Sequence, residues 1–361
     1  MKKKVLIVVN NMNMGGIENF LMNVVRNINL EKFEISFLYC EVIDTYFDNE
    51  IKSLGFKITK ISSRSSGFFK HLRELKRFFE NNKFDVVHIN YGTSLCFTAA
   101  RAAKKAGIKN VIVHSHNSKA KKVLLHKICK PLISIYANRY LACSKEAADW
   151  MFTKRINNSN RVVIIKNAID TLKYKFDCIS RLEIRKEYGI DNNKTVIGHI
   201  GRFNAQKNHD FLIQIFYEYK KINNNSVLLL LGDGELKENI KTKVRNLNIE
   251  NQVIFGGIRS DIPKVLSAMD CFVMPSNFEG LPVTLVEAQA SGLKCLVSDC
   301  ITKEVNVTDI IEYYSLKNTT KKWAEKISLS ENARENYNEI VKSSGFDINS
   351  ELKIIEKIYC E

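Results

Sequence analysis

The chain has 361 residues, 45% of them hydrophobic and 26% charged, enough apolar material for two ordinary cores and a balance that excludes a disordered chain. Only four prolines occur, with no Gly/Ser-rich or Pro-rich run, so a long flexible linker is excluded too. The formal net charge of +16 points to an anionic partner and says nothing of the fold.

In chain order, Lys2, Lys3 and Lys4 precede an apolar run over 5–9 that stops at Asn10 and Asn11. That run is too short for the core of a secretory signal, and no stretch of the sequence reaches the length of a membrane span. The pattern predicts a buried strand over 4–10, a Gly turn and an amphipathic helix over 17–27. Further strands are expected over 33–39, 57–61, 86–90, 111–114 and 140–142, with helices over 69–79, 95–106 and 145–152. A second series follows, with strands over 195–200, 227–231, 253–255, 271–275 and 295–298, each succeeded by a helical segment. Short apolar strands alternating with helices mean parallel sheets with right-handed crossovers. The expected fold is therefore α/β: two Rossmann-like, doubly wound halves, 1–170 and 171–349, joined near 167–175. A helical tail over 350–361 can pack back on the first half. Ligands of open parallel sheets gather at the carboxyl ends of the strands, so two such halves are expected to face each other across a shared cleft.

The charge is confined to the first half. Residues 1–170 hold 29 Lys+Arg against 13 Asp+Glu, and residues 171–361 hold 26 of each. Between Asp85 and Glu146 there is no acidic residue and there are eleven basic ones. Lys119, Lys121, Lys122, Lys127 and Lys130 alternate there with Val123, Leu124, Leu125, Ile128, Leu132 and Ile133. A membrane surface, an anionic substrate or a solvated basic face all fit this stretch. Nucleic acid fits less well, because aromatic platforms and any recognised nucleic-acid module are missing from the sequence. The nine cysteines are odd in number and scattered, with no Cys-x-x-Cys pair, as expected of reduced core thiols in a cytoplasm.

Chemistry concentrates in residues 275–288, Pro-Ser-Asn-Phe-Glu-Gly-Leu-Pro-Val-Thr-Leu-Val-Glu-Ala. A strand is expected to end at Pro275 and a helix to begin with Pro282, leaving the amides of Val283, Thr284 and Leu285 free for a phosphate. Glu279 and Glu287 enclose seven residues. Two carboxylates beside a phosphate site repel it unless they accept hydrogen bonds from sugar hydroxyls. A second constellation follows the strand over 195–200. Arg202 and Lys207 place two permanent cations beyond a strand end, suited to the developing charge of a departing diphosphate without a metal.

These two motifs resemble the E-x7-E signature and the Arg/Lys pair of family 4 retaining glycosyltransferases, which have the GT-B fold, and the similarity extends over almost the whole chain. The resemblance implies that Glu279 contacts the donor sugar and Glu287 the nucleoside ribose. Pro282 and the amides after it would hold the diphosphate, and Arg202 and Lys207 would neutralise it. It also implies that Gly15 and Gly16, in Met14-Gly15-Gly16-Ile17-Glu18, allow a phosphate or acceptor to approach the backbone. Of His114 and His116 at the end of a strand, His116 is the expected partner of the donor sugar. Residues 257–259, Arg259 included, are expected near the base. The turn at Gly232-Asp233-Gly234-Glu235 resembles the family's strand-end turn and reads as structural.

Two positions depart from the family pattern. Ala168 stands where a glycine with positive φ is usual, and Asn208 replaces a glycine after Lys207. The implied activity is transfer of a hexose from a nucleotide-diphosphate sugar of the UDP type, with retention, onto a glycan or polyprenyl-diphosphate-linked acceptor. Capsule or exopolysaccharide assembly would be the setting, at the cytoplasmic side and peripheral to the inner membrane. No cofactor and no metal are expected. A nucleotide-sugar epimerase is the alternative enzyme, distinguished by needing no acceptor. A nucleotide-sugar-binding protein without turnover is the non-enzymatic one.

Overall fold

The protein is described from a computed structural model, which covers residues 1–13, 15–117, 123–327, 329 and 334–361. The chain divides into two compact units, Met1–Ala168 with Ile348–Glu361, and Ile169–Asp347.

The first unit is built on seven parallel strands: β1 (Lys3–Val9), β2 (Phe33–Tyr39), β3 (Lys57–Lys60), β4 (Val86–Tyr91), β5 (Asn110–Ser115), β6 (Arg139–Ala142) and β7 (Val162–Ile164). Their order is β3-β2-β1-β4-β5-β6-β7. The order reverses between β1 and β4, so the loops after β1, β4 and β5 open at the topological switch point where ligands of such sheets bind. Every residue of β4 and β5 is buried, as expected of central strands covered on both faces. The C-terminal helix Ile348–Cys360 belongs to this unit. Its Ile348, Leu352, Ile355 and Tyr359 repeat at helical spacing and share a core with Val5, Phe33 and Phe37.

The second unit holds six parallel strands: β8 (Thr195–Ile200), β9 (Ser226–Leu231), β10 (Val253–Gly257), β11 (Cys271–Met274), β12 (Cys295–Ser298) and β13 (Ile311–Tyr314). Their order is β10-β9-β8-β11-β12-β13, with the switch point between β8 and β11. A buried ion cluster locks the opposite end of the sheet. Asp270 takes Arg181 and Arg185 at 2.7 Å each and also accepts the Val196 amide at 2.7 Å.

Two edge strands, β7 and β13, go unread in the sequence. They are three and four residues long and only partly covered, so neither carries the apolar run of a central strand. The predicted helix over 95–106 begins instead with a 3₁₀ turn, Ser94–Cys96, that leads into the helix Phe97–Lys105. A further helix, Val123–Tyr136, contains Pro131.

Candidate active site

In the second unit the loop after β8 and the loop after β11 are stitched together. Asn277 donates from its amide to the Gln206 carbonyl at 2.8 Å and from Nδ2 to the Ala205 carbonyl at 2.7 Å. Asn208 Nδ2 donates to the Pro275 carbonyl at 3.1 Å. Asn208 itself is left-handed, with φ 54°, which explains how asparagine serves where relatives of the motif use glycine. This stitching brings Lys207 Nζ to 2.8 Å from Glu279 Oε1, with both side chains largely buried. Gln206 Nε2 donates to the other carboxylate oxygen at 3.0 Å, while Oε1 has no aligned hydrogen-bond donor. One acceptor position on Glu279 is thus held only by the Lys207 charge.

Arg202 lies on the same side of the sheet, largely exposed, with a loose ion pair to Glu235 at 3.2 Å. The glycine turn after β9 supports that loop rather than forming a site of its own. A Cβ on Gly232 would stand 2.2 Å from the Gly201 carbonyl, and one on Gly234 2.6 Å from the Phe203 carbonyl, at φ of +128° and +159°. Phe203 donates its amide to the Asp233 carbonyl at 3.0 Å.

The helix after β11 spans Val283–Ala290, with Pro282 as its cap rather than in its first turn. Of the three amides expected to be free, that of Leu285 donates to the Pro282 carbonyl at 3.0 Å. Among the described residues the amides of Val283 and Thr284 have no backbone acceptor. Glu287 sits on this helix and accepts the Tyr174 hydroxyl at 2.7 Å. Burial pushes its carboxyl up from 4.5 to about 7, against the pull of the tyrosine. Arg259 has its guanidinium committed to Glu187 and Asp261 over the Tyr188 ring, and these carboxylates raise its pKa further.

In the first unit β4, β5 and the residues just after β5 bring together three histidines. His88 on β4 accepts or donates at Nδ1 to the Tyr359 hydroxyl, 2.6 Å away, and its Nε2 is 3.2 Å from His114 Nδ1. His116, just beyond β5, lies with its ring 4.0 Å from that of His114 and its Nε2 3.0 Å from Asn90 Oδ1. Burial drives all three well toward the neutral form, His88 and His116 to about 3. Gly15 caps the helix Gly16–Asn27. A Cβ there would meet the Glu18 carboxylate at 2.2 Å, whereas Gly16 faces open space. Burial raises Glu18 to about 7. Met14 lies outside the described residues. The junction departs from the family pattern as the sequence implies. Ala168 does not take positive φ, and its amide closes a tight turn on the Lys166 carbonyl at 2.7 Å.

Glu279 is thus brought together with Lys207 in the second unit, and His116 with His114 in the first. Sequence reading missed Gln206, Tyr174, Asn90 and Asn167 as neighbours of these groups. Adjacency to Lys207 was the only local signal, and it pointed to Gln206 alone.

Comparison with known proteins places this architecture. The solved structure of Anabaena Alr3699/HepE in complex with UDP and glucose superposes with a TM-score of 0.77 at 16% identity, covering 98% of each chain, so the fold is GT-B, with two Rossmann-like parallel-sheet units. The family models of glycosyl transferases group 1 and glycosyltransferase family 4 match residues 180–344 and 14–173. The putative glycosyltransferase EpsF of Bacillus subtilis (strain 168) is 32% identical over 99% of this chain and 96% of its own length, and the chain accordingly belongs to the family 4 glycosyltransferases. The UDP-Gal:alpha-D-GlcNAc-diphosphoundecaprenol alpha-1,3-galactosyltransferase of Escherichia coli is 27% identical over 74% of this chain and 72% of its own. The capsular polysaccharide biosynthesis glycosyltransferase CapH of Staphylococcus aureus is 26% identical over 99% and 98%.

Proposed function

We propose that the chain transfers a hexosyl unit from a UDP-sugar to a glycan or polyprenyl-diphosphate-linked acceptor, with retention of configuration, in the assembly of a surface polysaccharide. The observation that carries this reading is the Lys207–Glu279 pair where the loops after β8 and β11 meet, steadied by Gln206. A buried carboxylate with one acceptor position unfilled by any aligned donor suits a sugar hydroxyl. The lysine beside it suits the phosphate next to that sugar. The amides of Val283 and Thr284 take diphosphate oxygens, Glu287 takes the ribose, and Arg202 exchanges its exposed partner for the leaving group. Charge stabilisation by fixed cations lets the diphosphate depart without a metal. No side chain is assigned as nucleophile. The acceptor hydroxyl attacks the anomeric carbon on the face the diphosphate leaves, and its proton passes to a diphosphate oxygen. By the family resemblance His116 is assigned as a partner of the donor sugar.

The names of two relatives, one using a UDP-sugar and a diphosphoundecaprenol acceptor and one acting in capsule biosynthesis, support the donor class and the setting. No helix among the described residues is long and apolar enough to cross a membrane. Peripheral docking at the inner membrane face instead uses the helix Val123–Tyr136. It exposes Leu124, Ile128 and Ile135 beside Lys127, while His126, Cys129 and Ile133 are buried. Lys119, Lys121 and Lys122 of the same basic stretch lie outside the described residues.

The test incubates the protein with UDP-glucose, UDP-galactose and UDP-N-acetylglucosamine in turn, with excess chelator, with and without a diphosphoundecaprenol-linked acceptor. UDP release that depends on acceptor, with an α-linked product by NMR, supports the reading. Conversion of the UDP-sugar without acceptor would establish an epimerase instead.

A further inference from the structure

Glu287 presents two unequal oxygens. Oε1 accepts the Tyr174 hydroxyl at 2.7 Å, the length of a hydrogen bond to an ionised carboxylate. Oε2 has no hydrogen-bond partner among the described residues and is not sealed from solvent.

Tyr174 can hold one oxygen because its own turn is pinned. It ends the 3₁₀ turn Thr171–Tyr174. Thr171 is buried, and its carbonyl accepts the Asn338 side-chain amide. The Lys173 amide donates to the Asp170 carbonyl at 3.0 Å, and the Ile169 amide to the Phe346 carbonyl at 3.0 Å. The tyrosine ring packs on the core that holds Leu285, Val286 and Ala288 from the helix of Glu287.

The terminal torsion of a glutamate is broad and roughly two-fold. A hydroxyl bound to one oxygen restricts that torsion and leaves the other oxygen bare for a donor. It also favours the ionised form. Burial raises this carboxyl to about 7, and a proton on Oε2 would stand where a donor must approach. Among the described residues Tyr174 is the one titratable group that shifts Glu287. Lys173 on the same turn is paired with Asp170 at 3.1 Å. Glu339, on the neighbouring helix Asn338–Val341, is paired with Lys342 at 3.8 Å, and Lys303 and Glu304 of the turn Lys303–Val305 are exposed.

We infer that Tyr174 is the positioning residue of the nucleoside subsite: its hydroxyl fixes Oε1 of Glu287 so that Oε2 accepts from ribose hydroxyls, which selects ribonucleotide over deoxyribonucleotide donors. This rests on the proposed assignment of Glu287 to the ribose, and adds the group that orients it and the selectivity that follows.

Two measurements test it. In the ligand-free protein, ¹³C NMR of glutamate-labelled chains reads the Glu287 carboxyl titration, with Glu287→Gln assigning the resonance. The midpoint is expected to lie higher in Tyr174→Phe than in wild type. Isothermal titration with UDP, 2′-deoxy-UDP and 3′-deoxy-UDP from pH 6 to pH 8 reads the selectivity. Wild type is expected to favour UDP over at least one deoxy nucleotide by about tenfold at pH 8 and to lose that preference as the carboxyl protonates. Tyr174→Phe should reduce the preference to about threefold or less, with its fall moved to higher pH and the affinity for the deoxy nucleotide unchanged. In the Glu287→Gln background the tyrosine substitution should leave the ratio as it is. Equal weakening of UDP and the deoxy nucleotide by Tyr174→Phe would mark a tyrosine that only supports the fold and overturns the inference, as does an unmoved titration midpoint. If wild type binds UDP and both deoxy nucleotides alike, the ribose role of Glu287 falls and the selectivity with it, whereas an unmoved midpoint strikes Tyr174 alone.

Discussion

Replacing Glu287 with glutamine tests the electrostatics of the nucleotide end of the site. In the folded chain burial holds this carboxyl at about 7, raised from 4.5. A raised acid is protonated in the folded state while the unfolded chain has already ionised, so its contribution is complete below 4.5 and lost as the pH rises through about 7. The difference is worth about 3 kcal/mol, or roughly 6–12 °C in the melting temperature of a domain of this size. The assay is thermal unfolding of wild type and Glu287→Gln, ligand-free, from pH 4 to pH 8. Wild type should lose stability relative to the variant across that window, with the two alike near pH 4. Parallel curves would refute the reasoning. Ribose hydroxyls donating to Glu287 favour its ionised form. UDP binding near pH 7 should therefore release a proton in wild type, seen as a calorimetric enthalpy that varies with buffer, and release less in the variant.

Lys207→Ala and Arg202→Ala should each lower kcat by about 10²–10³-fold, measured as acceptor-dependent UDP release, if each cation acts as one preorganised donor to the leaving group. A loss under threefold in both would remove them from that role. Gly234→Ala should destabilise the second unit by roughly 2 kcal/mol or more, because φ of +159° and the Phe203 backbone both oppose a Cβ; denaturant unfolding measures it, and a neutral result would mean that the turn moves freely. Sedimentation with anionic liposomes at low salt should carry wild type into the pellet and leave a Leu124→Ser, Ile128→Ser double variant in solution. Equal pelleting of the two would exclude this helix as the docking face.

The alternation of short apolar runs with helical segments made both sheets legible, because central strands such as β4, β5 and β9 are buried on both faces and cannot carry polar residues without a partner. Edge strands β7 and β13 escaped, since a half-covered strand of three or four residues has no such constraint. The positions of Lys207 and Glu279 were legible as motifs, but their pairing was not. It depends on Asn277 and Asn208 joining two loops about seventy residues apart in the chain, and nothing local encodes that. Arg259 shows the opposite limit. As a bare residue type it suits an anionic ligand, yet its charge is spent on Glu187 and Asp261, one of them distant in sequence. The burial that raises Glu287 and neutralises His116 likewise arises from packing, which residue spacing does not express.

The central claim is a UDP-sugar donor site in the second unit centred on Lys207 and Glu279. Isothermal titration of UDP into wild type and Lys207→Ala, in chelator, tests it most directly. The account predicts one site per chain in wild type and at least a tenfold weaker one in the variant. Equal affinity in both proteins, or no binding of UDP to wild type, would contradict it.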